Sequence, residues 1–584
     1  MDGTGGTATV VRIDDSDDIT HTTDGRPAAD SPPGAPDGTG TERRDDGPPA
    51  RGSSRRSLLT AAGIGLVAAA CAPAPSDGSP APGAAAAIPA PPDPGPAPVP
   101  FTVANARNLA SRATFGTTKP MVDKIMAVGA GAWLDEQLNP AALPDAEAML
   151  AAYTTLNATN SQNEVQRQTD EQVLFAELDH AMLLRGVYSE RQLYEVMCDF
   201  WSNHFTIWRS AKYLTQLKTV DDRTVIRPNA LGKFADMLLA SARSPAMLVY
   251  LDNYVSNAFA TQGVNENWGR ELLELHTVGI INGQQVYTEA DVRGVARIMS
   301  GRTISTAAGA NQYTYSFNQG LHSLEAVSIL GGGWSRPARL NGTQGQADGD
   351  SLLNYLARHP STARYLSWKL CRRFVSDDPP MALVDRLAAV YSANDTAIAP
   401  VIRELFLSAE FRASQGQKVK RPIEWLYSSL RATKAVVNTL PGGTASQRLR
   451  DTAEILGQPL NERNTPDGYP EKAVDWVSAE GLLKRWEYGA RLARNQLTDT
   501  GQPEKVVVDL TTLLPAPLPP TVRDLIIALA DTVFQFPLSP GNADLIAGAI
   551  PLAPTAAAST LTSKTTSLQA VTGLLISHPS FQRR

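Results

Sequence analysis

Residues 265–279, NENWGRELLELHTVG, bring Glu266, Glu271, Glu274 and His276 into one short stretch, and His204 lies in a second polar-edged stretch, FWSNHF, at 200–205. An imidazole beside a carboxylate is the pairing that sets a pKa for general acid–base work, and histidines with a carboxylate also make a donor set for a divalent metal. His204 or His276 is therefore a candidate acid, base or metal ligand, with Glu266 or Glu271 as its partner. Other sequence signals for chemistry are missing: there is no His-Glu-x-x-His zinc spacing, no Gly-x-Ser-x-Gly elbow and no phosphate-binding glycine loop.

The elements that must hold these groups read as helices. At about 100° per residue, Trp268, Leu272, Leu275 and Gly279 fall on one side of the 265–279 stretch. Asn267, Arg270, Glu271 and Glu274 fall on the other, where Arg270 and Glu274 have the spacing of an ion pair. His276 stands roughly 140–160° from Glu271 and Glu274, so one straight helix cannot present all three to a single metal ion. In SERQLYEVMCDFWSNHFTIW, residues 189–208, the wheel places Leu193, Met197, Phe200, Trp201, His204 and Trp208 together and Glu195, Asp199 and Asn203 opposite. Both His204 and His276 thus point inward. Hydrogen-bonded core histidines would explain that; so would a shared buried site.

The rest of the chain reads as a mainly α, multi-helical globular domain over 101–584 with a small irregular or β insertion at 303–350. Residues 101–139 read as two helices with Phe115-Gly116 in the turn, and the Asn- and Gln-rich 154–170 as a loop or poorly packed helix start before a helix over Val173–Arg185. Thr288 and Asp291 have capping-box spacing ahead of Val292, Val295, Ile298 and Met299, with a stop at Gly301. The insertion is rich in Gly, Asn, Ser and Tyr and holds His322; helices resume at Ser351. Residues 457–476 form a turn-rich loop around Asp467-Gly468 and Tyr469-Pro470.

The beginning of the chain has a different character. Residues 1–53 are rich in Asp, Gly, Pro and Thr, without apolar periodicity, and read as disordered. Arg55 and Arg56 then precede an uncharged, mildly apolar run too short to span a bilayer, the pattern of a twin-arginine export signal over 54–71. Ala68–Ala70 before Cys71 is similar to a lipoprotein box, which would make Cys71 the lipidated first residue; ordinary cleavage after Ala-x-Ala is the alternative. Residues 72–100 hold 11 prolines, a semi-rigid tether reaching about 90 Å. The expected location is the outer face of the cytoplasmic membrane, held there only through the lipid, or free secretion. Cys198 and Cys371 are the cysteines beyond the signal: export permits a disulfide, while their apolar helical settings suit buried free thiols. The chain carries 53 Lys and Arg against 59 Asp and Glu, and without a basic patch nucleic acid is not an expected partner.

Several segments together resemble the bacterial exported domain-of-unknown-function family numbered 1800: FWSNHF, NENWGRELLELHTVG, VYTEADV at 286–292, DGDSLLNYLARHPSTARYLSWKLCRRFV at 348–375, KVKRPIEWL at 418–426, LGQPL with PDGYP at 456–470, and SFQRR at 580–584. The resemblance marks His204, Asn265, Glu266, Asn267, Arg270, Glu271, His276 and His322. It adds Arg270 to the catalytic candidates and His322 to His204 and His276 as candidate metal ligands. Trp268-Gly269 stands where the family more often has Tyr-Ala, and Ser323-Leu324-Glu325 departs from its pattern after His322. The resemblance implies a largely helical fold, export and the company of a second exported family similar to sulfatases and phosphatases. It implies no reaction. Two functions follow as expectations: a hydrolase or lyase acting on an envelope or extracellular polymer, or a tethered binding or assembly protein. In the second, Tyr313, Tyr315 and Trp334 would stack on a polysaccharide or a partner.

Overall fold

The computed structural model describes residues 101–261, 263–437, 444–497 and 505–584; the expected export signal with Arg55 and Arg56, the expected lipid site Cys71 and the expected tether lie outside the described residues. The described chain is mainly helical, with four small two-stranded sheets, as the patterning predicts. No helix among the described residues is long and apolar enough to cross a membrane.

Local sequence sets most of the elements. Thr102 caps Val103–Ala113 in a reciprocal box with Asn105. Thr288 and Asp291 do the same for Glu289–Met299, whose Val292, Val295, Ile298 and Met299 are fully buried. Three helices, not two, fill 103–137, because Gly129 at φ 85° ends Lys119–Val128 and opens Ala130–Gln137. The Asn- and Gln-rich stretch is helical as well. Thr159 boxes with Gln162 to start Asn160–Tyr188, and the helix breaks only at Asp170 (φ −158°, ψ 97°).

The 303–350 insertion contains strand pairing from both sides of its turns. Arg302–Ile304 pairs with Tyr315–Phe317, and Val327–Ile329 with Trp334–Arg336, both antiparallel. The next helix begins at Gly345, six residues before the apolar spacing predicts. Tertiary packing holds that polar first turn: Asp348 pairs with Arg339 at 2.6 Å and Arg336 at 3.4 Å, and Gly345 lies directly against the His322 ring. Tyr313, Tyr315 and Trp334 are not free stacking faces. All three are half-buried against the core, with Tyr313 stacked on Tyr213 at 5.4 Å and Trp334 Nε1 donating to Ser351 Oγ.

Cys198 and Cys371 are buried free thiols, and burial pushes Cys371 up to about 12. Adding reductant is therefore expected to leave the thermal unfolding midpoint unchanged, and a reductant-dependent drop would reveal a disulfide instead.

Candidate functional site

The helix Gln192–His204 delivers its last residue into the core. Trp201, fully buried, anchors it by donating Nε1–H to the carbonyl of Ala230. His204 is 2 % exposed and packs among Trp201, Phe205 and Phe234. The stretch 265–279 is not a straight α-helix. Asn265 caps Glu266–Glu271 through Oδ1, and the next five residues, Leu272–His276, form a π-helical turn that ends at Thr277. The widened turn re-aims everything after Glu271. Arg270 consequently does not pair with Glu274: it makes a bidentate pair with Glu289, at 2.7 Å, while Glu274 accepts from the Tyr287 hydroxyl. Glu289 lies in the first turn of its helix, where a carboxylate is favoured by the exposed N–H groups. Glu266 is a weaker partner of Arg270, at 3.9 Å, on the outer rim.

The turn brings His276 to His204, with ring centroids 5.9 Å apart and Phe205 against both. His204 Nε2–H donates to the His276 carbonyl (3.2 Å), which leaves Nδ1 to accept from Lys369 Nζ at 3.0 Å. Geometry therefore fixes the tautomer. Burial, reinforced by the Lys369 charge, holds His204 well below the ordinary imidazole value and takes His276 down to about 3, so both rings are neutral. Lys369, on the helix Pro360–Phe374, is the member sequence reasoning missed; it lies 165 residues from His204 and has no local signal beyond the motif that contains it.

A turn-rich loop closes over this end of the histidine helix. Asn203 exchanges two hydrogen bonds with Tyr469, donating to its carbonyl and accepting from its N–H. Between them Gly468 sits at φ 77°, and a Cβ there would stand 2.4 Å from the Asn203 carbonyl oxygen, so only glycine fits. Glu462 ties the loop down through Arg209 (2.8 Å) and Trp208 (3.0 Å), and Arg209 is itself bidentate to buried Asp179. The loop thereby contributes Asp467, whose charge acts on both Lys369 and Glu271.

Around the histidines, those two groups are poised near neutrality. Burial lowers Lys369 to about 8 against the opposing pull of Glu471 and Asp467. Burial and the neighbouring Glu274 raise Glu271 to about 7, and Asp467 adds to the rise. Because the folded state holds the Glu271 proton more tightly than the unfolded chain, its stabilising effect is complete below the unfolded value and is lost as pH rises through about 7. Glu271→Gln keeps the protonated shape. The variant is expected to be more stable than the parent at about pH 8 by about 1 kcal/mol, the figure being discounted for the carboxyl's contact with solvent. Urea midpoints of the two proteins at about pH 5 and about pH 8 test this; an unchanged difference between them would sink it.

The candidate metal set is not assembled. Both ring nitrogens of His204 are engaged, and His322 is fully buried elsewhere, donating Nδ1–H to the Ser300 carbonyl at 2.9 Å and sharing no partner with His204 or His276. Among the described residues no three His, Cys, Asp or Glu side chains are placed to hold a metal. The donors present do not fit such an ion.

Behind the histidines lies a second assembly that sequence reasoning did not find. Arg373, fully buried, reaches Asp199 at 2.9 Å, Glu424 at 2.8 Å and Glu471 at 3.2 Å. Arg421 pairs with the same Asp199 and approaches Glu471 at 3.5 Å, and Arg584 meets Glu424 at 2.6 Å. Burial alone would raise the Glu424 carboxyl; Arg373, Arg584 and Arg421 together hold it well below the usual carboxylate range. Each partner comes from, or directly borders, a segment that carries the family resemblance, so these segments meet in space. A family model described as protein of unknown function (DUF1800) matches residues 108–583. No curated protein and no solved structure matches the chain.

Proposed function

The chain belongs to the DUF1800 family, whose description carries no reaction, and we propose from the site itself that it is an acid–base enzyme, a hydrolase or lyase acting on an envelope or extracellular polymer. What supports this reading is that Lys369 sits on the neutral His204 ring, that burial takes Lys369 to about 8 and Glu271 to about 7, and that the charge of Asp467 acts on both. Groups titrating close to neutrality can each give or take a proton at working pH, which is what general acid–base catalysis requires. In this proposal Glu271 takes the proton and Lys369 supplies one. His204 is a positioning residue, since its neutral Nδ1 holds the ammonium group in place. Arg270 opposes the rise of Glu271 from the rim, where Glu266 is its outer partner.

The proposed setting is outside the cytoplasmic membrane, reached by the twin-arginine signal and held by lipid on Cys71 or released. An exported sulfatase- or phosphatase-like protein is the proposed companion. The test is a screen of the full chain against purified cell-wall and extracellular polysaccharides, read as new reducing ends or new double bonds. Turnover that disappears in both Glu271→Gln and Lys369→Met, with thermal unfolding kept, is the expected result. Product formed equally well by both variants would end the proposal.

A further inference from the structure

A cavity of about 270 Å³ opens between the helix Val103–Ala113 and residues 534–537 and 580–584. It is separate from the histidine site, and the Glu424–Arg584 pair forms part of its wall. Phe115, Phe534, Phe536 and Phe581 line it, all of them buried, and exposed Gln415, Pro537 and Arg583 mark its mouth.

Into this aromatic space projects Lys420. Its side chain belongs to a residue only 8 % exposed, and no hydrogen-bond acceptor or carboxylate partner meets its Nζ among the described residues; what it meets is the Phe581 ring, 3.7 Å from the centroid. The nearest carboxylate, Glu424, is already shared by Arg373, Arg584 and Arg421. The other nearby charges are positive. Arg485 gives its guanidinium to the Lys420 carbonyl and to Gln582, and Arg107 is tied to Asp531 but leaves Nε unpartnered. Burial with the Arg485 and Arg584 charges takes Lys420 down to about 7, the expected response of an ammonium that lacks an anion.

A buried lysine whose Nζ meets no carboxylate, in a cavity lined in part by four phenyl rings, suits a complementary molecule. We propose that this cavity binds a small monocarboxylate with an apolar body, its carboxylate on Lys420 Nζ and its hydrocarbon among Phe115, Phe534, Phe536 and Phe581. The volume suits a ligand of metabolite size, and the charge-assisted bond supplies the selectivity. Neither depends on the histidine site being catalytic.

The probe is octanoate, with octanamide as its neutral counterpart, titrated calorimetrically into the full chain. Octanoate is expected to bind about tenfold or more tightly than octanamide, because only the anion answers the buried ammonium. Lys420→Met is expected to erase that preference while leaving weak binding of both, and Phe536→Ala to weaken both alike. Equal binding of the two probes to the unaltered protein, or no binding of either, would overturn the proposal without recourse to any variant. An unaltered preference in a folded Lys420→Met protein would overturn it too.

Discussion

Glu424→Gln is expected to cost about 3–5 kcal/mol of folding stability, the usual penalty for removing one partner from a buried ion pair. The residue is 4 % exposed, and its carboxylate lies 2.8 Å from Arg373 and 2.6 Å from Arg584. The neutral amide keeps the volume and leaves those guanidinium groups with too little negative charge. A urea melt reads the loss directly, and a shift worth less than about 1 kcal/mol would show that the network is solvated or slack. The pH dependence has a definite sign. Glu424 is depressed in the folded state, so its contribution is present above the unfolded value of an ordinary glutamate and is lost as pH falls toward the folded one. The parent protein should therefore lose stability steeply in acid, and the variant should show a shallower acid slope. Combining Glu424→Gln with Arg584→Met should recover part of the loss, since the second change removes one of the stranded charges.

Lys369→Met is expected to lower turnover by about 10²–10⁴-fold on whatever polymer the screen identifies, the range for losing a positioned acid or base. The pH profile distinguishes catalysis from structure. With Glu271 required deprotonated and Lys369 required protonated, the rate should be bell-shaped, with limbs near 7 and 8. His204→Gln removes the ring that accepts from Lys369. It should lower kcat and move the alkaline limb while leaving the acid limb in place. A profile that stays flat from about pH 6 to about pH 9 would remove Glu271 and Lys369 from the chemistry together.

Much of this was written in local pattern. The wheel turns His204 inward because Leu193, Met197, Phe200 and Trp201 set the apolar face of its helix, and the residue is 2 % exposed. The Thr288–Asp291 box is visible from spacing alone because capping joins residues only three positions apart. The π turn at Leu272–His276 has no such signature: LLELH suits an ordinary α-helix, and the choice depends on what packs around it. Arg270 therefore pairs with Glu289 rather than Glu274. The site's decisive contacts are longer still. Lys369 meets His204 across 165 residues, and Arg373 and Arg421 meet Asp199 across 174 and 222, separations at which no periodicity survives.

Those separations bear on how the chain reaches its native state. Asp199, Arg373, Arg421, Glu424, Glu471 and Arg584 arrive from widely spaced parts of the sequence, and any intermediate that buries some without the others holds uncompensated charge in a low-dielectric interior. Partial structures are penalised until the whole set is in place. Contacts of such long range also make folding slow, and the same penalty is expected to make the segments that share this network open together rather than singly.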